Sequence, residues 1–394
     1  MTISSAVQDD IWASVQRLAE AFAVDAVERE QAGGNAKRQR DMLRESGLLT
    51  LLIPERYGGG GETWSTVLRI VRELAKVDGS LAHLYGYHFL QLVAPHLVGT
   101  PEQKRYFYTE SAKHNWFWGN AFNPLDQRLR GNREDGRVVL NGRKSFCTGA
   151  QDSDRLLVSW VEGDDPAALY TAVIPTRREG VLVHDDWDGL GQRQTDSGTV
   201  EFQDVVVEPH EIIAVPLANK SPFSTIDAPL SQMILANIFA GSATGALEAA
   251  KEYTRTQSRP WYTSGVNAAH RDPYTLRKYG DMWVELQGAT SLLDAAGHSI
   301  DAAWEKEFSL TSDERGRVAV HTAAANALAS KVALNVTSQV FEVMGAHSAT
   351  KNHGFDRFWR NVRTHTLHNP IDYKFKNIGN WYVNDEPPKP GWYA

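Results

Sequence analysis

Residues 354–370 of the chain read Gly354-Phe355-Asp356-Arg357-Phe358-Trp359-Arg360-Asn361-Val362-Arg363-Thr364-His365-Thr366-Leu367-His368-Asn369-Pro370. Four apolar residues of this segment fall at i, i+3, i+4 and i+7, the spacing of one helix face: Phe355, Phe358, Trp359 and Val362. Asp356 is placed to pair with Arg360 one turn later. His365 and His368 share a face before Pro370 ends the helix. The segment is either a buried helix with a basic edge or a helix that presents two imidazoles to a site.

The composition describes an ordinary globular chain and excludes some classes of function. Its 394 residues are 42% hydrophobic and 23% charged, with a formal net charge of −7. The negative charge argues against a general nucleic-acid binder. The single cysteine, Cys147, excludes a disulfide framework. No metal site is predicted, because the histidine pairs lack carboxylates at ligand spacing.

Targeting and nucleotide-binding signals are absent from the sequence. The start, Met1-Thr2-Ile3-Ser4-Ser5, lacks a basic and an apolar signal region, and no apolar run approaches the roughly 20 residues of a membrane span. A cytoplasmic protein without membrane contact is therefore expected. No Gly-x-Gly-x-x-Gly follows a strand, which argues against a Rossmann nicotinamide site. The Gly58–Gly61 run is interpreted as a flexible connector between helices.

The hydrophobic period changes twice along the chain and predicts an α+β, mainly α, fold in three parts. Helical spacing dominates residues 1–114, short strands with turn residues dominate 115–222, and long helices return over 223–394. Within the middle part, the stretch 138–146 reads as two strands joined by an Asn141-Gly142 turn. The last part has few breaks and predicts an antiparallel four-helix bundle. An extended arm is expected from Gly379 onward.

This order of helices, small sheet and long bundle resembles the acyl-CoA dehydrogenase superfamily over essentially the whole chain. Three motifs carry the resemblance: Pro54-Glu55-Arg56-Tyr57-Gly58-Gly59, Asn141-Gly142-Arg143-Lys144-Ser145-Phe146, and Trp187-Asp188-Gly189-Leu190-Gly191-Gln192-Arg193-Gln194-Thr195-Asp196-Ser197. The first is similar to the family's helix connector, the second to its hairpin and the third to its flavin-side loop. The implied fold has an N-terminal helical domain, a central β-barrel or sheet domain and a C-terminal four-helix bundle.

Other motifs are similar to the flavin-dependent monooxygenase branch of that superfamily, which includes dibenzothiophene monooxygenases and indole-oxygenating relatives. They are His83-Leu84-Tyr85-Gly86-Tyr87-His88, Arg193-Gln194-Thr195-Asp196-Ser197-Gly198, Glu252-Tyr253-Thr254-Arg255-Thr256-Gln257 and the whole 354–370 segment. A dehydrogenase needs a carboxylate to remove the substrate α-proton. The two positions where the family carries that Glu offer none here: one reads His368-Asn369-Pro370, and the other lies between Asp227 and Glu248, where the sequence has no Asp or Glu.

The resemblance implies roles for individual residues. His368 would handle oxygen near the flavin, and Tyr87, Asn120 and Thr148 would hydrogen-bond the oxygen, the flavin or the substrate. The implied flavin-binding set is Asn120, Phe146, Thr148, Trp187, Arg193, Ser197, Arg259, His365 and Asn369. The implied substrate pocket contains His83, Tyr87, Phe122 and Phe146, and the loop 122–128 would be its lid. Without the resemblance, Tyr87 is as readily a core tyrosine, Thr148 a turn cap and Arg259 part of a surface ion pair.

The resemblance implies a two-component enzyme. Reduced flavin, FMNH2 or FADH2, would come from a separate NAD(P)H-dependent reductase and react with O2 to a C4a-hydroperoxide, whose distal oxygen is transferred to a planar aromatic heterocycle at carbon or sulfur. A homotetramer is implied, with Arg259 reaching the flavin phosphate of a neighbouring subunit. Two alternatives stay open: an acyl-CoA dehydrogenase or related flavin oxidase, and a flavin-binding protein without catalytic activity.

Overall fold

The computed structural model describes residues 5–163, 168–216 and 221–394, with the side chains of residues 5–8 and 134 outside that description. Its first helices are α1 (Ser5–Ala23), α2 (Ala26–Ala32), α3 (Lys37–Glu45), α4 (Trp64–Ala75), α5 (Gly79–Leu92), α6 (Ala94–Val98) and α7 (Pro101–His114). After the strands come α8 (Asp227–Thr256), α9 (Pro273–Lys306), α10 (Ser312–Met344), α11 (Asp356–Thr366) and α12 (Ile371–Asn384).

Local sequence signals place the starts of several helices. The Asp78 carboxylate accepts a hydrogen bond from the Leu81 amide at 3.0 Å and caps α5. Thr100 and Gln103 form a reciprocal capping box at the start of α7, where Pro101 occupies the first turn. These caps satisfy backbone amides that have no partner within the helix.

Helix α8 is the centre of the helical core. It packs against α10, α9, α4 and α5, and its apolar residues are almost all buried. The stretch Phe223–Thr256 is long and apolar enough to cross a membrane, but 83% of its most apolar window is buried inside the protein. A helix that is apolar all round and covered on all sides is typical of a large protein core.

In the described residues one eight-stranded, curled sheet follows α7. Its strands are β1 (Trp118–Ala121), β2 (Arg130–Glu134), β3 (Arg137–Lys144), β4 (Arg155–Val161), β5 (Leu169–Pro175), β6 (Val181–Val183), β7 (Val200–Val207) and β8 (Ile212–Ala214). The order is β6-β7-β3-β2-β4-β5-β8, and β1 runs parallel to β4. The α+β, mainly α, prediction is confirmed, whereas the domain limits at 114/115 and 222/223 stay a prediction.

The predicted Asn141-Gly142 hairpin is wrong. Arg137–Lys144 is one strand, and Gly142 lies at a register shift, where its φ of 126° favours glycine. Asn141 instead bonds Asp204 of the neighbouring strand, with Nδ2 2.9 Å from Oδ1. The hairpin turn is Asp135-Gly136, whose φ values of 48° and 81° match a two-residue turn of type I′.

Three further expectations are corrected. Helix α11 ends at Thr366, so His368 lies in the turn after it rather than on its face, because the residues before Pro370 cannot continue a helix. Helix α12 extends to Asn384, so the extended tail begins after Asn384 and not at Gly379 as predicted. The 58–61 connector is packed rather than flexible, since the Gly60 and Gly61 amides donate to backbone carbonyls at 3.1 and 2.9 Å.

Candidate active site

Helix α5 places two of the predicted pocket residues in contact. His83 and Tyr87, one helical turn apart, have ring centroids 4.2 Å apart in an edge-to-face arrangement. Both side chains are buried. Burial raises the pKa of the Tyr87 hydroxyl above its ordinary value. Tyr87 therefore stays a neutral hydroxyl at physiological pH and can donate or accept a hydrogen bond.

His83 also meets His365 from the distant helix α11. The His365 Nε2 lies 2.9 Å from the His83 Nδ1, and the rings are edge to face at 4.3 Å. The other two nitrogens, His83 Nε2 and His365 Nδ1, are buried and have no hydrogen-bond partner. Burial lowers the pKa of His83 to about 3 and that of His365 well below its ordinary value. The pair is neutral and leaves two polar atoms available to a bound group.

His368 adds a third imidazole next to this pair. Its amide donates to the His365 carbonyl at 3.0 Å, which closes the turn after α11. The side chain is open to solvent in a recess surrounded by protein, and the Tyr393 ring lies 5.3 Å away, edge to face. This surrounding protein, with a smaller contribution from the Lys374 charge, lowers the pKa of His368 to about 4. His368 is thus a neutral base that solvent or a ligand can reach.

A second group of predicted residues lies where β1 meets the loop after β3. The Thr148 Oγ1 is 2.8 Å from the Ser197 Oγ, which is 2.7 Å from the Thr195 Oγ1. The Asn120 amide donates to the Thr148 carbonyl at 3.0 Å. Thr148, Ser197 and Asn120 thus form one hydrogen-bonded cluster, and its hydroxyls can also donate to a ligand.

Phe146 and Trp187 form an aromatic wall beside that cluster. Their ring centroids are 6.0 Å apart. Phe146 is 60% exposed and has a left-handed backbone with a φ of 59°. A bulky residue in this conformation is strained, and such strain is typical of ligand sites. The Trp187 indole Nε1 donates to the Gln192 carbonyl at 2.8 Å, which fixes that ring.

The loop from Trp187 to Ser197 is anchored by residues that sequence reasoning did not assign to the site. The Gly191 amide donates to Thr364 Oγ1 at 2.9 Å, and the Gln192 amide donates to Asn361 Oδ1 at 2.6 Å. Helix α11 therefore anchors this loop and also carries His365 of the histidine pair. Arg40 of α3 forms a buried ion pair with Asp196. Asn361 and Thr364 belong to the 354–370 segment, but only the folded structure shows that they contact this loop.

Three predicted residues lie apart from these groups. Arg193 points toward α2, with its Nη2 3.4 Å from the Gln31 carbonyl. Arg259 is exposed beyond the end of α8, and its contacts in the described residues include none of the other predicted flavin residues. Phe122 packs edge to face with Trp392 at 5.7 Å, so the tail rather than the histidine pair covers it. Asn369, by contrast, lies beside the histidine cluster, half-buried in the turn directly after His368.

The acid–base groups of the histidine cluster are imidazoles and not carboxylates. In the described chain, no Asp or Glu contributes to the electrostatic environment of His83, His365 or His368. A proton abstracted in this cluster would therefore go to an imidazole. The same part of the chain holds no group of three His, Cys, Asp or Glu side chains arranged for a metal ion.

The residues present fit a flavin. An isoalloxazine ring is planar and carries polar atoms along one edge, so it needs an aromatic wall and nearby donors. Phe146 and Trp187 supply the wall, Thr148 and Ser197 supply hydroxyls, and the unpaired His365 Nδ1 supplies a buried polar atom.

Comparison with known proteins agrees with this geometry. Models of the N-terminal, middle and C-terminal domains of acyl-CoA dehydrogenases match residues 5–115, 124–205 and 233–373. The chain is 46% identical to a dibenzothiophene monooxygenase of Rhodococcus erythropolis over 98% of this chain and 96% of the relative. It is 43% identical to the probable FMNH2-dependent monooxygenase SfnC of Pseudomonas putida over 97% of both chains.

Solved structures give the same assignment. The methanesulfinate monooxygenase MsuC of Pseudomonas fluorescens superposes with a TM-score of 0.95 at 43% identity, covering 97% of this chain and 99% of that one. The complex of TdsC from Paenibacillus sp. A11-2 with FMN and indole superposes with a TM-score of 0.93 at 41% identity, covering 98% and 100%. The chain belongs to the acyl-CoA dehydrogenase family. Within that family it is a flavin-dependent monooxygenase that uses reduced flavin.

Proposed function

We propose that the chain is the oxygenase of a two-component system that uses FMNH2 and O2 to oxygenate a planar aromatic heterocycle. The observation that carries this proposal is the histidine cluster: two neutral, buried imidazoles with one unpaired nitrogen each and a third imidazole open to a ligand. Among the described residues, no Asp or Glu acts on these three imidazoles. Such a cluster offers hydrogen bonds without a base suited to dehydrogenation.

Each group in the site has a proposed task. Phe146 and Trp187 flank the flavin ring, and Thr148 with Ser197 donates to its polar edge. His368 holds or releases a proton where oxygen reacts. The pair His83 and Tyr87 forms the floor of the substrate pocket and orients the substrate by a hydrogen bond. His83 and Tyr87 are buried, so the core around them keeps bulk water away from the substrate pocket, which suppresses wasteful release of peroxide.

Reduced flavin supplies two electrons and two protons, so that one atom of O2 enters the substrate and the other leaves as water. The chain carries no recognisable nicotinamide motif, so these electrons come from a separate NAD(P)H-dependent flavin reductase. FMN is proposed over FAD because SfnC is named as FMNH2-dependent and the TdsC structure contains FMN. The aromatic substrate is proposed because TdsC holds indole and other relatives are dibenzothiophene monooxygenases.

A homotetramer in the cytoplasm is also proposed. Helix α9 exposes four large apolar side chains that a single chain leaves uncovered: Tyr274, Leu276, Trp283 and Val284. The exposed Arg259 would reach the flavin phosphate of a neighbouring subunit, where a guanidinium fork suits a phosphate. The three-domain division at 114/115 and 222/223 is part of the same proposal.

Turnover with a generic flavin reductase and NADH tests the proposal. FMN and FAD are supplied separately, and indole and dibenzothiophene are offered separately as substrates. We expect an oxygenated product that depends on FMN, O2 and reductase together. Reduction of bound flavin by an acyl-CoA thioester would favour the dehydrogenase alternative. Tight flavin binding with no product from an aromatic panel would favour the inactive flavin protein.

A further inference from the structure

A cavity of about 160 Å³ lies beside the histidine cluster, between α8, α10 and the turn that joins α11 to α12. His365 and Asn369 line one side of it, and Lys374 of α12 lines another. Its volume is close to that of an engineered cavity of about 150 Å³ that holds a single benzene molecule. The space therefore suits a small functional group or one ring rather than a tricyclic system.

The lining of this cavity is cationic. Lys331, Arg363 and Lys374 contribute three positive side chains, and no Asp or Glu lines it. None of the three cations forms an ion pair within residues 5–163, 168–216 and 221–394, the part of the chain that the structure describes. A positive recess without counter-charge attracts an anion, and the low dielectric of the surrounding protein strengthens that attraction.

Lys374 is the most unusual of these cations. It is only 5% exposed, and its Nζ donates one hydrogen bond, 3.0 Å long, to the Gln232 Oε1. An ammonium group has three donors, so two remain without a protein partner in the described residues. Burial of the charge lowers the pKa of Lys374 to about 8, which still leaves the side chain mainly protonated at neutral pH. A buried charge of this kind calls for a compensating anion.

Gln232 supplies a second free donor at the same place. Its Nε2 is buried and has no hydrogen-bond partner, while its backbone carbonyl accepts from Asn326 Nδ2 at 2.8 Å. Asn326 thus fixes the Gln232 backbone, and the hydrogen bond from Lys374 to Oε1 holds the side-chain amide. The free donors of the buried Lys374 ammonium and the unpaired Gln232 amide N–H match the two oxygens of a sulfinate or a carboxylate.

We infer that Lys374 and Gln232 form a subsite for an organic oxyanion, so that the substrate of this enzyme carries a sulfinate or carboxylate group next to the atom that is oxygenated. The inference rests on the proposed function, since it assigns the polar end of the same substrate pocket. His365 lines the same cavity as Lys374, and the His368 amide bonds the His365 carbonyl, so an oxyanion bound here would lie near the oxygen-handling residue. An entirely neutral heterocycle would leave both donors unpaired.

Binding measurements with the FMN-loaded enzyme test this subsite without turnover. The probes are benzenesulfinate, benzoate and the neutral methyl phenyl sulfoxide, each titrated by calorimetry. We expect an anion to bind at least about tenfold more tightly than the sulfoxide, because a hydrogen bond to a charged group contributes more than a neutral one. Tight binding of benzenesulfinate alone identifies a sulfur oxyanion, and comparable binding of benzoate identifies a carboxylate group as sufficient.

Lys374→Met should remove this preference and change sulfoxide binding less than roughly threefold. Lys376→Met is the matched control, because it removes a charge from the exposed side of the same helix and should leave all three affinities unchanged. Gln232→Glu places a carboxylate against the Lys374 ammonium. It should abolish anion binding and raise the melting temperature, so the test survives if Lys374→Met folds poorly.

Three results would overturn the subsite: equal affinity for anions and sulfoxide, a preference that persists in Lys374→Met, or competition between benzenesulfinate and FMN, which would assign the cations to the cofactor. These results are distinct from failure of the proposed function. That failure would appear as absence of any FMNH2-dependent oxygenation, whereas the subsite fails by its binding data while oxygenation of a neutral substrate continues.

Discussion

Two histidines of helix α5, five residues apart and both buried, have opposite surroundings. His88 uses both ring nitrogens: its Nε2 lies 2.8 Å from the Leu49 carbonyl, and its Nδ1 accepts from the Trp118 amide at 3.1 Å. His83 uses only Nδ1, toward His365, and leaves Nε2 unpaired. A fully bonded imidazole connects three segments of the core, whereas a partly bonded one is available to a ligand. Unpaired buried nitrogens, rather than burial, therefore separate the site from the scaffold.

The largest expected effect is on catalysis, at the open end of the unpaired cluster. His368→Ala should lower product formation by roughly 10²–10⁴-fold, the range for a residue that transfers a proton, while NADH consumption continues and peroxide accumulates. Product and peroxide are measured in the coupled reductase assay. His210→Ala, at an exposed histidine of the sheet domain, is the control and should behave as wild type. Full product yield from His368→Ala would remove that residue from the mechanism.

The second effect separates the two histidines of α5 directly. His88→Ala should destabilise the protein by roughly 2–5 kcal/mol, since it leaves the Leu49 carbonyl and the Trp118 amide buried without partners. The specific activity of the folded fraction should stay near wild type. His83→Ala should show the reverse, with roughly tenfold or greater loss of product yield and a smaller loss of stability. Urea unfolding and activity per folded molecule give both values, and equal stability losses would contradict the distinction.

The third effect is on stability against pH. Burial lowers the pKa of His83 to about 3 and that of His88 to about 4, from about 6.5 in the unfolded chain. The unfolded state therefore binds more protons between those values, so stability is complete above pH 6.5 and falls as the pH drops toward 4. Each buried histidine contributes up to about 1.4 kcal/mol per pH unit in that window. The buried Glu30 and Asp196 act in the opposite direction, because their pKa values are raised to about 7 and about 6, so the test compares wild type with His88→Ala. The variant should lose less stability between pH 6.5 and 4.5, and an identical loss in both proteins would contradict a buried neutral His88.

The smallest effect concerns the surroundings of His368 alone. Tyr393 lies against its ring, so Tyr393→Ala should admit water and move the His368 pKa from about 4 toward its ordinary value. The His88 pKa should not move, because Tyr393 is not among its contacts. Histidine proton resonances followed through a pH titration report both values. A shift of both pKa values together would indicate a general change in the fold.

The sequence predicted the long helices because their helical spacing of apolar residues continues over many turns. The long helices predicted for residues 223–394 are observed as α8, α9 and α10. Turns and helix ends were predicted less reliably, because they depend on a few residues only. Both Asn141-Gly142 and Asp135-Gly136 are hairpin dipeptides, and strand pairing with β7 made a bulge of the first and left the turn to the second. Similarly, helical spacing through His368 could not show that the helix ends two residues earlier.

The site itself could be predicted only in part. The motif resemblance predicted His83, Tyr87, Thr148 and His368 as site residues. The contact between His83 and His365, however, joins residues 282 positions apart. No local pattern encodes such a pair or which of its nitrogens stays unbonded. The sequence also could not single out Lys374 from the neighbouring Lys and Arg residues, because an Ile371–Asn384 helix with several polar residues reads as a surface element. Its burial arises only when α10 and α12 pack together.

The central claim is that this chain transfers one atom of O2 from reduced flavin to a substrate. Oxygenation under ¹⁸O2 in unlabelled water, with FMN, NADH, a flavin reductase and indole, tests it most directly. We expect one ¹⁸O atom per product molecule by mass spectrometry, at a yield that falls with His368→Ala. Product oxygen drawn from water, or flavin reduction by an acyl-CoA thioester with no labelled product, would contradict it.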